Sequence, residues 1–164
     1  MINQLNYLFV TLFGIGKIKG IPGTYASFFT TVFLFLIFYF FNFNPIIFLI
    51  ILFVVFFISI YSINLFTKKN DNKDPKEVVI DEFIGQSIPI CLYEISHDKS
   101  DNIIKVLIIY SIMFILFRIF DIFKPFPANF FDKNIKNSFG VIMDDICAGL
   151  YVVLIFVIYM TLAQ

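Results

Sequence analysis

The chain has 164 residues, 60% of them hydrophobic and 25 of them Phe, and its 12 basic and 12 acidic residues cancel to a formal net charge of zero. Globular domains average about 45–50% apolar, so this composition excludes an ordinary soluble domain, and the length allows one domain, over 1–164. A neutral, apolar chain with no basic tail or patch also argues against nucleic acid as a partner.

In chain order, a short apolar stretch, Leu5 to Phe13, comes first. It has no basic region before it and no small-residue cleavage site after it, so no removable signal peptide is expected. A polar cluster, Gly14 to Ser27, reads GIGKIKGIPGTYAS. The apolar run Phe28 to Phe41 follows, relieved only by Thr30, Thr31 and Tyr39. Asn42-Phe43-Asn44-Pro45 predicts a turn, and Pro45 to Phe66 is a second apolar run. The polar cluster Thr67 to Glu82 ends in EVVIDE, and its stretch Lys68 to Lys76 reads as a solvated loop. The apolar stretch 83–93 leads to a hydrophilic turn, Glu94 to Asn102, and then to a third run, Ile103 to Phe117. A last polar cluster, Arg118 to Asp145, overlaps the start of the fourth run, Val141 to Ala163. A helix needs about 20 apolar residues to cross the hydrocarbon layer. The second and fourth runs have that length, whereas the first and third are short.

The expected fold is therefore an all-α, multihelical integral membrane protein. It has about four membrane-spanning helices plus a short re-entrant or interfacial segment at 83–93, which as a helix spans only about 16 Å. Basic residues favour the cytoplasmic side. Ten of the twelve lie in the first, second and fourth polar clusters, which places those clusters together on the cytoplasmic face. If 83–93 does not cross, the fourth cluster falls on the opposite face from the second.

Three constellations carry chemistry. Asp81 and Glu82 are adjacent acids just ahead of an apolar stretch, where a helix start alone would explain them; Gly85, one turn on, would let a backbone or a phosphate come close. Arg118, Asp121 and Lys124 recur at spacings of three, so each neighbours the next on a helix. Snorkelling accounts for the two cations but not for Asp121. Asp144 and Asp145 stand side by side inside the segment VIMDDICAGLYVVLIFVIYM. Capping explains one of them; two, with Gly149 one turn on, suggest a cation site, since intramembrane acids are functional candidates by default. Five carboxylates suit Mg²⁺, which takes a few hard oxygens plus substrate phosphate. Arg118 and Lys124 suit phosphate oxygens. The loop Gly20-Ile21-Pro22-Gly23-Thr24 offers backbone N–H groups and a hydroxyl ahead of a helix, an anion cradle.

Other chemistries lack their residues. His97 is the sole histidine and lies away from the acids, which removes Ser-His-Asp and histidine-based phosphatase schemes and leaves it as a surface residue. Cys91 and Cys147 lack CxxC spacing and read as buried structural cysteines. No DxDxT or DGxxAR stretch occurs.

The motifs resemble those of the phosphatidylglycerophosphatase A family. They are Ile21-Pro22-Gly23-Thr24 with Ser27, then Asp81-Glu82-Phe83-Ile84-Gly85, then Phe117-Arg118-Ile119-Phe120-Asp121 with Lys124-Pro125-Phe126-Pro127. Phe131-Asp132-Lys133-Asn134 then leads into Gly140 and Asp144-Asp145-Ile146 with Ala148-Gly149. They occur in the family's order across residues 14 to 149. The chain departs from the family at Asn137-Ser138-Phe139, where paired glycines are frequent.

The resemblance implies an all-helical membrane enzyme that removes the terminal phosphomonoester of phosphatidylglycerophosphate to give phosphatidylglycerol, with Mg²⁺. Its substrate is then a phospholipid in the bilayer, and its place a bacterial-type inner membrane, with the active site facing the cytoplasm. On this reading Asp81, Glu82, Asp121, Asp144 and Asp145 hold one or two Mg²⁺ ions and supply the base. Arg118, Lys124, Gly23 and Thr24 bind phosphate. The competing expectations are a phosphatase for another lipid or isoprenoid phosphate, a small transporter, and a non-catalytic assembly subunit. No oligomeric state is specified.

Overall fold

A computed structural model of the protein describes residues 2–70, 76–97 and 102–162, and among them every regular element is helical. Helix α1 covers Ile2–Val10, and a 3₁₀ turn, Ile15–Lys17, follows. Helix α2 covers Pro22–Phe35 and runs on through a π-helical turn, Leu36–Phe40. The remaining helices are α3 (Pro45–Asn70), α4 (Ile80–Ser96), α5 (Ile103–Phe123), α6 (Ala128–Asn134) and α7 (Ser138–Leu162). The central parts of the Lys68–Lys76 loop and of the Glu94–Asn102 turn, residues 71–75 and 98–101, lie outside the described residues.

Local chemistry sets the helix ends. Pro22 opens α2 and Pro45 opens α3, positions where the missing N–H costs nothing. The Asn44 side chain accepts a hydrogen bond from Ile46 N at 2.9 Å. Likewise Asn102 accepts from Ile104 N at 3.1 Å to start α5, and Asn137 from Gly140 N at 3.0 Å near the start of α7. Helix α5 stops at Lys124, which adopts a left-handed conformation with φ 43° ahead of Pro125.

Among the described residues, four helices are long and apolar enough to cross a membrane: α2 with its π turn, α3, α5 and α7. The first and third are longer than their apolar runs. Helix α2 starts six residues before Phe28, at Pro22, and α5 extends six residues past Phe117, to Phe123. The added turn of α5 carries Arg118 and Asp121, which neutralise each other at 2.7 Å and so can stay helical beside an apolar segment.

The outward faces are apolar: Ile50, Phe53, Phe57, Ile108, Ile115 and Leu154 are all exposed. A surface this rich in exposed branched and aromatic side chains is a lipid-facing one. The interior holds the polar residues instead, among them Ser27, Thr30, Ser59, Gln86, Asp144 and Asp145.

The short fifth segment is a continuous helix, α4, and it extends three residues beyond 83–93 at each end. Its 17 residues span about 25 Å. It packs against α2, α3, α5 and, most extensively, α7. Helix α4 is thus enclosed by protein, which is why it tolerates Asp81, Glu82, Gln86 and an internal Pro89 without a long apolar sequence. Glycines bring α4 and α7 together. A Cβ on Gly85 would stand 2.6 Å from the Asp145 carbonyl oxygen, and one on Gly149 would collide with the Gly85 carbonyl oxygen.

Candidate functional site

The helices alternate in direction, so the start of α2, the start of α4, the end of α5 and the start of α7 share one end of the bundle. A cavity of about 670 Å³ opens there, a size suited to a small ligand or a headgroup. The polar clusters at 14–27, 67–82 and 118–145 all contribute to its lining, as the charge bias predicts. His97 lies away from it, in tilted ring contact with Tyr93 and Phe156 beside a second, mostly apolar cavity whose described lining holds no carboxylate.

The deepest acids come from α4 and α7. Ligand oxygens of Asp81, Glu82 and Asp145 lie within 4.8 Å of one another. Asp81 Oδ1, Glu82 Oε2 and Asp145 Oδ2 are buried, and none has a hydrogen-bond partner among the described residues. Three carboxylates this close repel one another when ionised unless a cation or protons intervene. Clustered carboxylates that keep unpaired oxygens have the donor chemistry that suits a hard divalent cation. The Gly85–Gly149 contact creates this arrangement, because it lets the α7 backbone approach within one turn of Asp81.

Asp121 and Asp144 are engaged differently. Arg118 Nη1 lies 2.7 Å from Asp121 Oδ2 and donates to Ser27 Oγ at 3.3 Å. Lys124 Nζ bridges Asp144 Oδ2 at 2.5 Å and Asp132 Oδ1 at 2.6 Å. Asp144 Oδ1 also accepts from the Asp145 backbone N–H at 3.0 Å, which fixes the Asp pair relative to each other. Burial alone would lower the Lys124 pKa, but its bonds to Asp132 and Asp144 outweigh this and raise it above the ordinary lysine value. Lys124 is therefore a permanent cation here.

The start of α2 closes the cavity on another side. Gly20, Ile21, Pro22 and Gly23 line it, and no side chain caps the helix. The free N–H groups of the first turn therefore face the site, with the positive end of the helix dipole behind them. A Cβ on Gly23 would displace the carboxylate end of Glu82 and stand 3.3 Å from Arg118 Nη1, so this position touches both side chains. Thr24 sits in the same turn but is not among the lining residues.

Of the expected site residues, Gly23, Asp81, Glu82, Arg118, Asp121, Lys124, Asp144 and Asp145 thus meet in one cavity. Sequence reasoning missed four others. Ser27 and Asp132 orient the two inner cations, and Lys76 and Lys136 line the cavity. Asp132 and Ser27 sat within recognised motifs without a role, whereas Lys76 was indistinguishable from its solvated loop.

The chain is similar to known proteins along most of its length. The family described as phosphatidylglycerophosphatase A matches residues 8–160. A phosphatidylglycerophosphatase A of Haemophilus influenzae is 32% identical over 155 residues, covering 94% of this chain and 88% of that protein. One of Escherichia coli is 30% identical over 92 residues, 56% of this chain and 48% of that protein. A Bacteroides thetaiotaomicron protein, provisionally named a phosphatidylinositol-3-phosphatase, is 38% identical over 79 residues, 48% of this chain and 45% of that protein. No solved structure matches the chain.

Proposed function

Because the chain belongs to the phosphatidylglycerophosphatase A family, we propose that it hydrolyses the terminal phosphomonoester of phosphatidylglycerophosphate, releasing phosphatidylglycerol and inorganic phosphate. The observation that carries this reading is the meeting of the three orphaned carboxylates with Arg118, Lys124 and the open N-terminus of α2 at one end of an apolar bundle. A lipid phosphate needs such a site at headgroup level, because its acyl chains stay in the bilayer.

Asp81, Glu82 and Asp145 would hold Mg²⁺; their donor chemistry and unpaired oxygens fit it. The bound ion supplies charge neutralisation of the phosphate and a more acidic water. Arg118 and Lys124 bind the non-bridging phosphate oxygens, whose charge is redistributed in the transition state. Asp121 and Ser27 orient Arg118, and Asp132 and Asp144 orient Lys124. The N–H groups of Gly23 and Thr24 add donors at the dipole end of α2. In the overall reaction a water oxygen bonds to phosphorus, the ester P–O bond breaks, and the leaving glycerol oxygen takes a proton. The bias of Lys and Arg toward this end supports a cytoplasmic orientation in an inner membrane.

The position of the acids at the end of the bundle, not at its middle, favours hydrolysis over transport. A second reading, a phosphatase for another lipid phosphomonoester, is favoured by the name of the Bacteroides relative. One experiment separates them. Purified protein in mixed micelles is given phosphatidylglycerophosphate, phosphatidate or phosphatidylinositol 3-phosphate, with Mg²⁺ or with a chelator. The expected result is Mg²⁺-dependent release, fastest from phosphatidylglycerophosphate. Release from none of the three by folded protein would refute the phosphatase reading.

A further inference from the structure

The cavity is lined by six carboxylates but only four cations, Lys76, Arg118, Lys124 and Lys136. The four cations divide into two kinds. Arg118 and Lys124 are committed to acids at 2.5–2.7 Å. Lys76 and Lys136 have no ion pair or hydrogen bond among the described residues.

The free lysines also occupy a different depth. Lys76 lies five residues before Asp81, ahead of the first turn of α4. Lys136 lies eight residues before Asp144, ahead of the first turn of α7. Helices α4 and α7 both lead away from this end of the bundle, so residues that precede them are further out than the acids they carry. The two lysines therefore mark the mouth from two different connections. The orphaned carboxylates and the paired cations lie within.

A phosphatidylglycerophosphate headgroup has the same two-tier anatomy. It carries a terminal phosphomonoester, which is cleaved, and a phosphodiester that ties the glycerol to the lipid. With the monoester inserted toward Asp81, Glu82 and Asp145, the diester is left at the mouth, where the acyl chains turn back to the bilayer. We infer that Lys76 and Lys136 form a second anion subsite that binds the phosphodiester of a two-phosphate lipid and selects it over lipids with a monoester alone. An ammonium suits this task as a mobile point charge that does not demand one fixed geometry. The inference rests on the phosphatase reading above.

The test is inhibition of phosphate release from phosphatidylglycerophosphate by the two products. Phosphatidylglycerol keeps the diester and lacks the monoester, whereas inorganic phosphate is the reverse. The double variant Lys76→Gln with Lys136→Gln is compared with wild type and with Lys76→Arg with Lys136→Arg. The Gln pair is expected to raise KM and the phosphatidylglycerol inhibition constant by about tenfold, as loss of a charge-assisted contact does. The inorganic phosphate constant should stay within about twofold, since that ion's cations are retained. The Arg pair should restore the phosphatidylglycerol constant. Equal weakening toward both products would mean a general field effect and would overturn the subsite, as would no change toward either. Wild-type protein that releases no phosphate would overturn the underlying phosphatase reading and this inference with it.

Discussion

Gly85 of α4 rests against the backbone of Asp145 in α7, so closely that a methyl group on Gly85 would stand 2.6 Å from the Asp145 carbonyl oxygen. That contact brings the α7 backbone against α4 one turn from Asp81, and the spacing of the Asp81, Glu82 and Asp145 carboxylates depends on it. Gly85→Ala must push the helices apart, an overpacking that costs about 1–3 kcal/mol. The expected outcome is a lower melting temperature and loss of turnover together. A variant as active and as stable as wild type would show that the close approach is dispensable.

The two aspartates of α7 should respond unequally. Asp145→Asn removes one of the three clustered oxygen ligands, so the rise in melting temperature on adding Mg²⁺ should disappear along with activity. Asp144→Asn removes a partner of Lys124 and should cost about 10–100-fold in rate, the range for groups that orient others around a metal. Its thermal response to Mg²⁺ should remain. Equal loss of that response in both variants would place Asp144 among the ligands.

Lys124 gives a pH prediction with a definite sign. Its pKa is raised in the folded state, because its bonds to Asp132 and Asp144 outweigh the opposing effect of burial. A group of this kind contributes stability that is complete below its unfolded pKa and is lost as pH rises through its folded one. The lysine value in unfolded chains is about 10.4. The melting-temperature difference between wild type and Lys124→Met should therefore be the same at about pH 7 and pH 9, closing only at more alkaline pH. A difference that vanished by pH 9 would contradict the bridge.

Gln86 lies one turn past Glu82, is fully buried, and has neither amide atom hydrogen-bonded among the described residues. An unsatisfied buried amide costs about 1–3 kcal/mol. Helical side chains lean toward the N-terminus, which carries this amide toward the carboxylate turn. Gln86→Met should raise the melting temperature in chelator and weaken Mg²⁺ binding, read from a titration of the same thermal shift. A variant destabilised in chelator would instead assign the amide to packing.

Orientation can be mapped with single cysteines, because both native ones are buried. Lys136→Cys and Asn42→Cys sit at opposite ends of the bundle and should react with an impermeant thiol reagent from opposite sides of the membrane. Reaction of both from one side would overturn the alternating path of α2, α3, α4, α5 and α7.

Much of this was legible in the residues. Asp144-Asp145 and Asp81-Glu82 stood out because paired acids beside apolar runs have few structural explanations, and the two pairs do meet. The Asn42–Pro45 turn was legible through its Asn and Pro chemistry, and the structure supplies the cap at Asn44. The division of labour among the five acids was not legible. Whether an aspartate joins the cluster or pairs with a cation depends on crossings between helices far apart in sequence, such as Asp145 beside Asp81. Of the two neighbours the sequence allows at Gly85, a backbone or a phosphate, the structure shows the α7 backbone, and Gly149, which stands one turn from the Asp pair, makes room for the backbone of α4. Hydropathy understates the length of α4, because it reports contact with lipid and this helix touches protein on its buried faces instead.

The enclosure of α4 also bears on how the protein is made. A helix carrying Asp81, Glu82, Gln86 and Glu94 is a poor candidate to partition into lipid by itself. Helices α2, α3, α5 and α7 have the hydropathy to enter singly. The last of them, α7, is also the partner on which α4 packs most extensively. The fourth helix in the chain therefore gains its full shelter only after the seventh is synthesised. Biogenesis must hold it at the interface, or in the insertion machinery, until the C-terminal helix arrives.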